Sequence, residues 1–393
     1  MRGRLRQRGE KRYAMIVELG RDEDGIRRQV QRAFSGSKRE AQKALADFEA
    51  EVERRGPETE PTEMTVGEYL DQWLESYGRT QVRTTTYESY EIMIRRHLKP
   101  AFGKVRLGKL TPVQIQRLCG EKLRQGRADG KPGGLSARTI RYIHAVLSEA
   151  LAHAVKYGFI QRNPAEIVDP PRIERKQFTV WQPEHAQKFL AFAATDPLSK
   201  RRYPLYVLAL LTGMRQGELL GLRWEDIDLE RGVVHVNRTL QRTRAGLSLQ
   251  EPKTERSRRA VPIGAGVVDA LRRHRREQYQ QQLMARPGEW RYTGLVFTVA
   301  HGGPVQSRNL ERDFKMAVKR AGLPEIRFHD LRHSHATQLL AVGEHPKVVQ
   351  ERLGHSQIRV TLDTYSHVLP SMQREAAEKA ERLVLGGDES AIS

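Results

Sequence analysis

Polar and apolar positions alternate near the start of the chain. Tyr13, Met15, Val17 and Leu19 fall on one face of an extended segment. Arg21-Asp22-Glu23-Asp24-Gly25 carries turn chemistry, and Ile26 to Phe34 reads as the second strand of a β-ribbon. The period then changes, and Ala41, Ala44, Leu45 and Phe48 share one side of a helix predicted over Lys38 to Arg54. Gly56-Pro57-Glu58-Thr59-Glu60-Pro61 is a polar linker. From Met64 to about Ile167 the pattern is helical. Thr65 can cap a helix whose Val66, Tyr69, Leu70, Trp73 and Leu74 face inward. A second helix runs from about Thr84 to Leu98 and stops at Pro100, and a third begins after Thr111-Pro112. Past a Gly-rich loop, Gly126 to Leu135, a fourth aligns Ile140, Ile143, Leu147, Leu151, Ala154 and Val155, which turns Arg138, Arg141 and His144 outward.

Asp169-Pro170-Pro171-Arg172 and the charged run to Lys176 form a second linker, and beyond it the pattern is mixed. Tyr203 to Gly213 is almost continuously apolar and reads as a buried helix. Val233-Val234-His235-Val236 begins a strand, and Leu247 to Lys253 with Arg259 to Ile263 can complete a small antiparallel sheet. Helical patterns dominate from about Gln306 to Val384.

At 393 residues the chain exceeds one ordinary domain, in keeping with the two linkers. Charge adds a partner. Lys and Arg exceed Asp and Glu by 20, a field that attracts polyanions, and neutralising DNA phosphates releases condensed counterions. The competing polyanion is an anionic membrane surface, but no apolar run approaches the ~20 residues that span a bilayer. The basic N-terminus, MRGRLRQRGEKRY, lacks the apolar stretch of a secretory signal. A single cysteine, Cys119, excludes an intrachain disulfide framework and a Cys-based zinc site, and its amphipathic setting suits a small core residue. A cytosolic protein fits best.

Candidate chemistry lies in the last half. Arg215 follows the apolar helix, where an unpaired guanidinium is expensive, and Glu218 three residues on can orient it. Taken alone, a structural Arg–Glu pair is the simpler reading. In Phe328-His329-Asp330-Leu331-Arg332-His333, the i,i+4 histidines His329 and His333 invite a metal, but the Glu of the zinc-protease helix motif is missing. The i,i+3 pair His329 and Arg332 instead suits a phosphate gaining negative charge, and a satisfied polar helix end also fits this motif alone. Gly354 can end a helix, Ser356 can cap the next, and Tyr365 lies ten residues after His355. Lys253 falls in a polar turn, Glu251 to Arg259, where a surface lysine is the simpler reading.

Taken in order, "TGMRQGELLGLRW", "PKTERSRR", "HDLRHSHATQLL", "VQERLGHSQI" and "TLDTYSHVLP" resemble the tyrosine recombinase (phage integrase) family. The resemblance implies a multidomain α+β chain. It comprises an arm-type DNA-binding domain at 1–56 (β-ribbon plus helix), a helical core-binding bundle at 64–168, and a mixed, mainly-α catalytic domain at 178–385 with a small antiparallel sheet. It implies a catalytic set of Arg215, Lys253, His329, Arg332, His355 and the nucleophile Tyr365, with Glu218 and His333 in support. DNA-binding candidates are Arg2, Arg4, Arg6, Arg8, Arg138 and Arg141. The implied activity is cleavage and rejoining of DNA through a 3′-phosphotyrosine, which integrates and excises a mobile element. The implied partners are double-stranded attachment sites, a homotetramer formed on them, and a directionality factor or DNA-bending protein. No membrane, cofactor or metal is implied, and the setting is the bacterial cytoplasm and nucleoid. Met372, Ala376, Ala380, Leu383 and Val384 form an apolar stripe suited either to exchange between protomers or to packing on their own domain. Two rivals stay open: a type IB topoisomerase, with closely similar tyrosine chemistry, and a basic DNA-binding regulator.

Overall fold

The structure is a computed structural model describing residues 2–9, 11–21, 27–55, 63–125, 127, 132–173, 179–251, 258–365, 377–378, 380–382 and 384. The chain divides into two compact units, Met1–Glu174 and Arg175–Ser393.

The first unit opens with an antiparallel sheet, β1 (Arg2–Gly9), β2 (Arg12–Arg21) and β3 (Arg27–Ser35), followed by α1 (Lys38–Arg55). The expected two-stranded ribbon is thus three-stranded, because the arginine-rich leader is itself a strand. Period-2 alternation explains it: Leu5 of β1 joins Met15, Val17, Val30 and Phe34 against Phe48, Ala44 and Leu45 of α1. Arg4, Arg6 and Arg8 therefore point from the opposite face, where they are exposed, and Arg4 and Arg6 pair with Ile16 and Ala14.

Helices follow: α2 (Val66–Trp73), a π turn (Leu74–Gly78), α3 (Arg79–Gln81), α4 (Thr84–Met93), a second π turn (Ile94–Leu98), α5 (Lys99–Phe102), α6 (Pro112–Gln125) and α7 (Ala137–Lys156). Thr65 and Glu68 form a capping box at α2. Pro100 does not stop the second helix as expected. The π turn ahead of it has already replaced the i→i−4 pattern, and the proline sits in the first turn of α5. The α7 stripe is buried against Leu70, Trp73, Ile94 and Ile115, and Arg138 and Arg141 are exposed. His144 departs from the outward reading: it is half-buried, with its Nε2 2.9 Å from the Ala165 carbonyl.

In the second unit, α8 (Pro183–Thr195), α9 (Tyr203–Thr212), α10 (Gln216–Leu220), α11 (Ala265–Met284), α12 (Ser307–Arg320), α13 (Asp330–Ala341), α14 (Pro346–Leu353) and α15 (Ile358–Tyr365) accompany short strands. As its composition predicts, α9 is buried along nearly its whole length. It packs Tyr206 near an aromatic cluster of Trp181, Phe189, Phe314 and Phe328. The single expected sheet is two. In one, β4 (Ile227–Asp228), β5 (Val233–Val236) and β8 (Arg259–Pro262) pair in that order; the other is the hairpin β6 (Thr239–Thr243) with β7 (Gly246–Gln250). The segment from Leu247 turns back on β6 because Gly246, at φ +119°, closes a two-residue loop. Among the described residues no helix is long and apolar enough to cross a membrane.

Candidate active site

Two helix ends form the site. α9 stops at Gly213, whose φ of +63° reverses the chain and leads into Met214 and Arg215, the residue that caps α10. α14 stops the same way at Gly354, φ +67°, immediately before His355. Helix C-termini expose carbonyls that lack intrahelical partners and carry partial negative charge. Here guanidinium groups satisfy them. Arg332, 4% exposed, donates to the Gly213 carbonyl and the Leu353 carbonyl, each at 2.7 Å. Arg215 donates to the Gly354 carbonyl at 3.0 Å and to Glu218 Oε1 at 2.8 Å, while its own N–H donates to Glu218 Oε2. Arginines from "TGMRQGELL" and "HDLRH", more than a hundred residues apart, thus meet on one turn of α14.

Glu218 is buried. Burial opposes its ionisation, but the hydrogen bonds and charge of Arg259, with the charge of Arg215, prevail and hold its carboxyl at about 2. Arg259 is a site residue that sequence reading missed. In β8 the period of two places it on the face of buried Val261, so an arginine at a core-facing strand position was the available signal. Its side chain is 7% exposed and donates to both Glu218 oxygens, at 3.2 and 2.8 Å.

The imidazoles gather around this cluster. His355 Nδ1 lies 2.8 Å from Thr361 Oγ1, a fully buried hydroxyl of α15 also missed from sequence. Burial first, then the charges of Arg332 and Arg215, push His355 down to about 3. His329 stands on the exposed rim; the protein around its ring, then the Arg332 charge, lowers its pKa. His333 packs edge-on to it, ring centroids 5.4 Å apart, and burial with that neighbour pushes it down to about 4. All three rings are neutral at pH 7. Beneath them, buried His335 Nε2 accepts from Arg352 Nε at 3.1 Å. Arg352 also donates to the Pro262 and Leu211 carbonyls, at 3.1 and 2.8 Å, which ties α14 to β8 and to the end of α9.

Tyr365 ends α15, ten residues after His355, with its side chain outside the described residues. Lys253 lies outside them too, as do Met372, Ala376 and Leu383 of the apolar stripe; Val384 is exposed. Arg215, Arg332, His329, His333, His355 and Glu218 are brought together. Arg4, Arg6, Arg8, Arg138 and Arg141 belong to the other unit. No group of histidine, cysteine and acidic residues suited to a metal occurs among the described residues.

Two guanidinium groups sharing one carboxylate retain positive charge, and neutral imidazoles beside them can exchange protons. Such a basin suits a phosphodiester, which ranks the second unit with proteins acting on nucleic-acid backbones. The family model "Phage integrase family" matches residues 180–372, and "Phage integrase, N-terminal SAM-like domain" matches residues 65–123. A "Tyrosine recombinase XerC-like" protein of Caldanaerobacter subterraneus subsp. tengcongensis is 30% identical over 96% of this chain and 97% of its own. The ICEBs1 integrase of Bacillus subtilis is 29% identical over 76% and 78%. Among solved structures, the Tn1549 transposon integrase in complex with transposon right end DNA superposes with a TM-score of 0.67 at 25% identity, over 80% of this chain and 99% of that one. A lambda integrase dimer bound to a core site shares the fold, with a TM-score of 0.55 at 18% identity over 92% and 94%. The chain belongs to the phage integrase family of tyrosine recombinases. Its activity is site-specific recombination of DNA.

Proposed function

We propose that the basin around the α14 C-terminus holds the scissile phosphate, with Tyr365 as nucleophile. A phenol with an ordinary pKa of about 10 attacks poorly at neutral pH without a base or a cationic field. Attack makes a five-coordinate phosphorus whose non-bridging oxygens gain charge, and Arg215 and Arg332 bind those oxygens more strongly in the transition state. His355 assists: when the Thr361 hydroxyl donates to Nδ1, the proton resides on Nε2 and can be donated to the same phosphate. His329 handles the tyrosine proton, and His333 packs against its ring. Lys253 protonates the departing 5′-oxygen, leaving Tyr365 esterified to the 3′-phosphate. The ester conserves the bond energy, so rejoining needs no ATP. Guanidinium and ammonium charge does the work a metal would otherwise do.

The observation that carries this reading is the turn itself. Consecutive carbonyls of Arg352, Leu353 and Gly354 accept from Arg259, Arg332 and Arg215, directly before His355 and the helix that ends in Tyr365. Around this centre we assign arm-site binding to residues 1–56, core binding to residues 64–168, with Arg138 and Arg141 on its exposed face, and chemistry to residues 178–385. The relatives named for integrative elements and transposons support a role in moving such an element into and out of a bacterial chromosome, in the cytoplasm. Strand exchange between two sites requires four cleavages, which fits a homotetramer on DNA, with a directionality factor or DNA-bending protein selecting the direction.

Paired-site recombination tests the reading, using core duplexes selected from random-sequence DNA by the Tyr365→Phe protein. Recombinants should form with wild-type protein in EDTA and be lost with Tyr365→Phe. Supercoil relaxation without recombinants would favour a topoisomerase, binding without cleavage a regulator, and strict dependence on divalent metal would reject the charge assignment.

A further inference from the structure

Anchoring a catalytic arginine with a buried carboxylate carries an electrostatic penalty. A one-to-one ion pair fixes the guanidinium but cancels the charge it should present to phosphate. Glu218 anchors Arg215 through its side chain and its backbone N–H, at 2.8 Å each. The same carboxylate also accepts both terminal nitrogens of Arg259, and two positive charges therefore share one negative charge. Arg259 Nε meanwhile donates to the Arg352 carbonyl at 2.8 Å, one residue before the carbonyl that holds Arg332 and two before the one that holds Arg215. The turn is built over this guanidinium. A Cβ at Gly354 would lie 3.0–3.2 Å from Arg259 Nη1, Cδ and Cζ, at a φ of +67° that disfavours other residues.

We propose that Arg259 is a positioning residue for strand cleavage. It holds Glu218 and the α14 turn so that Arg215 meets the scissile phosphate both fixed in place and with its charge uncancelled. This rests on Arg215 being a phosphate ligand. Without Arg259, the carboxylate draws only on Arg215, and the Arg352 carbonyl loses its donor. Arg215 is then pulled toward Glu218 as the turn before His355 loosens.

The test is single-turnover cleavage by the full chain, on nicked core duplexes selected from random-sequence DNA by the Tyr365→Phe protein, with either an ordinary phosphodiester or an electrically neutral methylphosphonate at the scissile position. Arg259→Met should cleave the phosphodiester about 100-fold more slowly. DNA affinity should be essentially unchanged, and the defect should shrink markedly on the methylphosphonate, where there is less charge to neutralise. Arg259→Lys, which keeps the charge and can reach one carboxylate oxygen, should recover much of the rate. If Arg259→Met does not fold, Arg259→Lys and Arg259→Gln carry the same comparison, with Gln the slower on the phosphodiester. Equal defects on both substrates, a defect tracking melting temperature, or no defect would each overturn the proposal. Arg215→Ala on the same pair of substrates is the control for the underlying reading: without a charge-selective defect there, Arg215 itself is misassigned, whatever Arg259 does.

Discussion

Buried arginine usually signals a cost that something else offsets. In this second unit the offset is spread over helix-end carbonyls and one carboxylate, which leaves positive charge facing the basin. The histidines of the site follow opposite logic, since lost hydration first, then neighbouring charge, lowers their pKa values. His335 shows the consequence most cleanly. It is 5% exposed, and burial together with the Arg352 charge pushes it down to about 3. A depressed imidazole pKa means that the unfolded chain takes up a proton the native state refuses. The stabilisation is therefore complete above about pH 6.5 and is lost as pH falls toward 3. Between pH 7 and pH 5 this one residue should cost about 2 kcal/mol of stability. Thermal melting of wild-type and His335→Asn protein at the two pH values checks it. The wild type should lose more stability on acidification, and parallel losses would contradict the cause given.

At the scale of elements, the geometry depends on two left-handed glycines that end α9 and α14. Gly213 is the tighter. A Cβ there would come within 2.6 Å of Leu353 Cδ2 and 2.8 Å of His335 Cδ2. Gly213→Ala should cost more than about 1 kcal/mol and slow cleavage as well, because the Gly213 carbonyl holds Arg332. Melting and single-turnover cleavage measure both, and a variant unaffected in each would show that the turn tolerates strain. Much of this architecture was legible locally. The apolar run of α9, the Thr65 cap and the i,i+3 spacing of His329 and Arg332 are decided within a few residues. What escaped was decided by pairing across the chain. Arg259 reads as one more arginine in "SRRAVPI" until Glu218, forty-one residues away, is packed against it. Thr361 gains meaning only from His355, and the β6–β7 hairpin competed with an equally well patterned pairing to β8. In β1, a run of charge obscured a strand whose only half-buried positions among those described are Gly3 and Leu5.

Over the whole molecule, the excess of 20 positive charges is divided between chemistry and grip. Arg4, Arg6 and Arg8 form an exposed stripe on the N-terminal sheet, remote in sequence from the cluster that handles phosphate. Deleting residues 1–55 should weaken binding to long attachment-site DNA, and the salt dependence of binding should flatten by about one logarithmic unit of slope for each phosphate no longer neutralised. Cleavage of a short nicked core duplex should persist. An unchanged salt slope would remove the stripe from the DNA interface. The central claim is that segments scattered from Arg215 to Tyr365 converge on one phosphate, and trapping the covalent complex tests it most directly. Proteolysis and mass spectrometry of wild-type protein linked to a nicked core duplex should find the DNA 3′-phosphate esterified to Tyr365. Linkage through another residue, or to a 5′-phosphate, would contradict the account.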